Sequence, residues 1–275
     1  MSSAVPARTR RTGAIVAVVL VVGAAVSIAF ALRDSFGGDG VSGTRTLSAS
    51  AKHLFVDVES GDVTVRKGST DDVRLTRTVR GRSPRIVEES RNDGVHVSAD
   101  CPAFTFGRCD VSYEIVVPAD MRVEIDASSG AVQVDGVTGG TQVEASSGTI
   151  TAKDLGGEVE LESSSGDVNV TGASGNLDVS ASSGEIKADG LTGGRVKAES
   201  SSGDVVLGFA AAPDRVELDV SSGDATITLP GGSTTYKVDV ETSSGDEQVD
   251  VPTDPDAAHE ITVEASSGDV TISRR

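Results

Sequence analysis

Cysteine, histidine, serine and carboxylate side chains are the groups through which this chain would do chemistry. Its two cysteines, Cys101 and Cys109, frame Pro102-Ala103-Phe104-Thr105-Phe106-Gly107-Arg108. In an exported protein such a pair forms a structural disulfide, and closing so short a loop is worth about 2–3 kcal/mol before strain. Phe104 and Phe106 either pack beneath this loop or project from it as a contact. His53, His96 and His259 stand in unrelated surroundings, and too few Cys and His are present to build a zinc or iron site. Numerous serines fall in Ser-Ser-Gly triplets with no recurring base beside them, so a nucleophile lacks its partner. A carboxylate pair for glycoside chemistry would need two acids set apart from the rest, and nothing distinguishes two. The chain reads as a non-enzyme without a cofactor.

Two charged features remain. Asp62, Asp167, Asp204, Asp224, Asp246 and Asp269 each follow a turn glycine. They read as solvated turn residues, with calcium binding through oxygen as the alternative. Ala131, Thr149 and Glu185 at equivalent places weaken the calcium pattern. Upstream, Arg74, Arg77, Arg80, Arg82 and Arg85 form a basic run opposed only by Asp71, Asp72, Glu88 and Glu89. Such a run makes either a contact patch for an anionic partner or an edge strand kept soluble by its charges. For the chain as a whole the net charge is -18, which excludes nucleic acid as a partner. With no Trp, two Tyr and six Phe, an aromatic-rich core and an aromatic ligand cage are excluded as well.

The elements that hold these groups begin with an export signal. Arg8, Arg10 and Arg11 precede an uncharged run from Gly13 to Leu32. At about 1.5 Å per residue it spans roughly 30 Å as a helix. The positive flank predicts a cytoplasmic tail and an exported remainder. A signal peptide cleaved near Ala29-Phe30-Ala31 is the alternative, which would make the protein secreted rather than single-pass. The chain thus divides into a tail over 1–12, an anchor or signal over 13–32, a flexible linker over 33–46, a β cap over 47–120 and a repeat domain over 121–272.

The repeat is the dominant signal. Ser-Ser-Gly recurs with its glycine at 130, 148, 166, 184 and 203, while Gly139, Gly157, Gly175 and Gly193 mark the half-steps. Between them run short segments such as Val143-Glu144-Ala145 and Val168-Asn169-Val170, apolar on one face and polar on the other. This regular step predicts an all-β solenoid or β-roll-like stack with rungs about 4.8 Å apart, and an antiparallel β-sandwich is the alternative. After Gly203 the signal returns at Gly223, Gly245 and Gly268 in longer units, whose extra residues fall in loops at 210–213, 230–233 and 252–258. The cap covers one end, and Ser273, Arg274 and Arg275 are expected to finish the other.

The array of strand, Ser-Ser-Gly-Asp or Ser-Ser-Gly-x turn and strand, carried behind one apolar segment, resembles the bacterial putative-adhesin family over about residues 50–272. That resemblance implies β-strand repeats and an envelope or surface location, and brings no catalytic residues. Two functions follow. One is an envelope module that binds a surface polymer or surface protein; the other is a structural or accessory signalling scaffold at the membrane without polymer binding.

Overall fold

A computed structural model describes residues 41–81, 84–101 and 109–275. The segment 13–32, Arg82, Phe104 and Phe106 lie outside them. Alternation of branched apolar and polar residues sets a period of two, and the described residues form 23 strands and no helix. These strands build a 12-stranded and an 11-stranded sheet. From Arg122–Ser129 onward each turn of chain lays one strand in the smaller sheet and the next in the larger, as with Thr141–Ser147 followed by Ile150–Lys153.

Successive rungs pair parallel and in register. Val143 lies between Ile125 and Leu161, and Ile150 between Val132 and Val168. The inward rows of both sheets form one buried Val, Ile, Leu and Ala core. Parallel pairing throughout the repeat excludes the antiparallel sandwich and leaves the solenoid-like stack. Antiparallel pairs occur only toward the N-terminal end, between Val41–Ser48, Asp72–Gly81 and Cys109–Val117 and between Arg85–Ser90 and Val95–Asp100.

The Ser-Ser-Gly corners stack directly on one another. Corner glycine N–H groups donate to the serine carbonyl of the adjacent rung, as Gly148 does to Ser165 at 3.1 Å and Gly166 to Ser183 at 3.0 Å. Gly148 has a φ of +123°, and a β-carbon there would collide with the Gly130 carbonyl oxygen. The corner therefore requires glycine on both counts. On the inner side, Ser163 and Ser200 donate their hydroxyls to the carbonyls of Gly166 and Gly203, each at 3.0 Å. At the opposite corner a further buried row, Val137, Leu155, Ala173 and Leu191, repeats with the same step as the glycines. The sequence reading missed this row.

Chain order and spatial order differ at both ends. His53–Val58 is flanked by Arg122–Ser129 on one side and Val95–Asp100 on the other, so the chain goes outward and returns before the regular repeat begins. Val41–Ser48 is the edge of the larger sheet, which places residues 41–46 in a strand rather than in the expected linker. At the other end Tyr236–Thr242 and Glu247–Val249 lie outside His259–Ala265 and Val270–Arg274. The C-terminal strand is thus the penultimate one, a correction to the expectation that Ser273 to Arg275 close the stack. The long connections over 230–235 and 250–258 supply the reach for this crossing.

Gly148→Ala is expected to lower unfolding free energy by about 3 kcal/mol or more, whereas Thr226→Ala on the outward face should change it by less than about 0.5 kcal/mol. Urea unfolding of the two variants checks this. Equal midpoints would show that the corner contact does not hold the stack.

Candidate functional site

The described arginines of the predicted basic patch, Arg74, Arg77, Arg80 and Arg85, do not share one face. In the strand Asp72–Gly81, Val73 and Leu75 point inward, and Arg77 shares their side. Arg77 Nη1 donates to Glu88 Oε1 at 2.7 Å, and Arg45 Nη1 and the Tyr113 hydroxyl reach the same buried carboxylate at 3.2 and 3.3 Å. Burial, reinforced by the Glu88 charge, pushes the Tyr113 phenol upward, so it stays a donor. Arg77 is thus a structural residue. Arg74 and Arg80 are exposed on the opposite face of that strand, roughly 20 Å apart at six residues of extended chain. Arg80 lies 3.7 Å from Asp110. Arg85 is exposed on the edge of the other sheet.

Cys101 and Cys109 are joined as a disulfide. The bond closes the corner between Val95–Asp100 and Cys109–Val117, where the other rungs carry a glycine turn. Glu59 Oε2 accepts the Cys101 N–H at 2.7 Å and so joins this corner to the adjacent rung.

The turn aspartates have a structural task. The Oδ1 atoms of Asp204, Asp224 and Asp269 accept the backbone N–H of Asp224, Asp269 and Asp246, each at 2.9 Å. Asp62 and Asp167 do the same for Ala131 and Glu185. Each carboxylate thereby fastens its corner to the equivalent place on the next rung. Among the described residues no group of three or more His, Cys, Asp or Glu is arranged to hold a metal ion.

The longest ordered surface feature is one the sequence reading did not single out. On the outward face of the smaller sheet, Asp57, Asp126, Glu144 and Glu162 stand side by side on consecutive rungs. Ser180 interrupts the row, and Glu199, Asp219, Glu264 and Glu241 continue it. The signal was present, because every member stands four residues before a turn glycine. Burial first, and then the charges of Asp126, Asp100 and Glu59, raise the Asp57 carboxyl above its ordinary value. Burial and the neighbouring Glu162 and Asp126 raise Glu144. Farther along, Lys197 pairs with Glu199 at 2.5 Å, and Arg215 bridges Glu217 and Glu260 at 2.5 and 2.8 Å.

At Ser180 the break in the row opens a shallow groove of about 240 Å³, lined by Ser182, Ser201, Ser221, Glu199 and Asp219. A second groove of about 300 Å³ shares Glu199 and Asp219 and reaches Lys197, Arg215 and Glu264. Both are open and polar. They suit contact with an extended partner rather than enclosure of a small molecule.

A carboxyl whose folded-state pKa is raised contributes stability below its unfolded value near 4, and that contribution is lost as pH rises through the folded value. Asp57→Asn and Glu144→Gln should therefore raise the melting temperature at pH 7 and leave it nearly unchanged at pH 3. Melting curves at the two pH values check this, and a lower melting temperature at pH 7 would contradict the repulsive row.

Comparison with curated proteins returns no match. Among solved structures, a putative adhesin from Bacteroides fragilis is similar at 14% identity and a TM-score of 0.48, covering 86% of this chain and 97% of that one. Putative adhesins from Parabacteroides distasonis and Parabacteroides merdae are 17% and 14% identical, with TM-scores of 0.39 and 0.40, each covering 86% of this chain and 98% of its own. The family model described as Toastrack DUF4097 matches residues 51–273, in keeping with the resemblance drawn from the repeats, and the chain belongs to that family.

Proposed function

We propose that this protein is an exported envelope module, tethered by residues 13–32, that binds a basic surface polymer or a basic stretch of a surface protein along the outward face of its smaller sheet. The observation that carries the reading is the carboxylate row from Asp57 to Glu241, an acid on eight of the nine consecutive strands from His53–Val58 to Tyr236–Thr242. A row repeating every 4.8 Å or so offers many weak, equivalent contacts to an extended cationic chain, and such contacts add up when the partner spans several rungs. Catalysis has no part in this reading, since the serines of the Ser-Ser-Gly triplets lie at repeated corners with no recurring base beside them. The scattered arginines favour it too, because a patch for an anionic polymer would need Arg74, Arg77 and Arg80 together.

Location and binding are tested separately. A full-length chain tagged after Arg275 should fractionate with membranes, keep its N-terminus and lose the tag to protease added outside cells. A mature chain starting near Leu32 in the medium would remove the tether. The purified full-length chain in detergent should bind poly-lysine and not poly-glutamate of matched length, less tightly as salt rises. Changing Glu162→Gln, Glu199→Gln and Asp219→Asn together should weaken poly-lysine binding about tenfold, at a few tenths of a kcal/mol per exposed charge. Unchanged binding by that variant would overturn the row as the contact surface.

A further inference from the structure

The edge strand Val41–Ser48 is held by contacts that a second copy of this chain would supply equally well. None of its residues is buried, and Val41 is 65% exposed. It lies antiparallel on Asp72–Gly81 in unbroken register from Val41 opposite Val79 to Ser48 opposite Asp72. Hydroxyls meet across the pair at Ser42 with Thr78 and Thr44 with Thr76, 3.3 and 3.5 Å apart. Arg45 reaches the carboxylate and carbonyl of Glu88. All of these link the strand to the body, and none depends on which chain the strand came from.

What differs between a closed and an exchanged arrangement is the link to the next strand. Residues 49–52 make a tight turn in which the Lys52 N–H donates to the Ala49 carbonyl at 3.0 Å. Lys52 sits at φ +47°, in the left-handed region, and is one of two non-glycine residues there among those described. That conformation is unfavourable for a residue with a β-carbon. Its ammonium is pinned by Asp120. A short strained hinge beside a strand that buries little is the combination from which strand exchange arises.

We propose that Val41–Ser48 exchanges between two copies of this chain, each laying the strand on the other copy's Asp72–Gly81, with residues 49–52 as the hinge. Exchange keeps every strand contact and lets Lys52 leave the left-handed region.

The experiment uses two full-length chains, one carrying Thr44→Cys and the other Thr76→Cys, co-expressed and mildly oxidised. Their native side chains already meet across the strand pair, so cysteines there are within bridging reach. Exchange predicts a disulfide-linked pair containing one chain of each kind. The same Thr44→Cys chain with Thr151→Cys, on a distant part of the larger sheet, should give none. A second pair of chains, with Ser42→Cys and Thr78→Cys, repeats the test should the first fold poorly. The proposal is overturned if no mixed pair forms while the two cysteines placed in one chain close within a monomer. Lys52→Gly removes the left-handed strain and should lower the exchanged fraction roughly fivefold. A mixed pair that persists undiminished with Lys52→Gly would overturn the hinge.

Discussion

The stack depends on backbone meeting backbone at the Ser-Ser-Gly corner. Parallel strands in register bring each corner directly over the last, and the carbonyl of one glycine occupies the space where the next would carry a β-carbon. Once that contact is made, the rest is constrained. Strand starts align, the inward rows fall over one another, and small residues predominate beside the corner, where Ala127, Ala145, Ser163, Ala181 and Ser200 lie buried in one row with Val58 and Val220. The scarcity of aromatic residues follows from the same narrow interior. The turn aspartates reinforce the corner from outside, each joining two rungs through one side-chain acceptor.

This regularity is why the architecture could be read from sequence. Glycines at fixed spacing with alternating residues between them leave few foldings that bury every apolar face, and the solenoid-like stack is one of them. The carboxylate row was equally legible once the repeats were aligned on their glycines. It was overlooked because Asp and Glu are abundant and the eye follows the turn aspartates instead. The ends were not legible. Whether Tyr236–Thr242 lies inside or outside His259–Ala265 depends on how two long loops cross, and a strand's apolar alternation is the same in either position. Arg77 was misplaced for a similar reason. Local composition marks a basic run, while the pleat decides which of its members turn inward.

The two ends answer different physical needs. A parallel stack has no intrinsic stop, and an open end exposes unpaired strand edges. At the N-terminal end the pairing turns antiparallel, and the buried Glu88 carboxylate accepts hydrogen bonds from Arg45, Arg77 and Tyr113. A buried carboxylate of this kind is unfavourable once a partner is lost, so the cluster favours one arrangement over loosely packed alternatives. At the C-terminal end the chain uses a short outer strand, Glu247–Val249, and lays Thr253 beside Tyr236 to cover part of the other edge. Asp239, Glu241 and Glu247 on these outer strands oppose unselective growth.

In-register stacking also explains why the acidic row is informative. Any outward position is copied from rung to rung, so like residues are forced side by side, and like charges directly opposed are destabilising. On the larger sheet the corresponding row is neutral over four rungs, Thr64, Gln133, Thr151 and Asn169, between Glu114 and Lys187. The fold therefore asks only for polarity at such positions. On the smaller sheet it carries Asp126, Glu144 and Glu162 on successive rungs, and among the described residues no lysine or arginine pairs with these three. Serine or threonine would satisfy the fold there without the burial of charge and the like-charge repulsion that raise Glu144. That cost falls along the whole row, and the positively charged partner proposed for this face would relieve it.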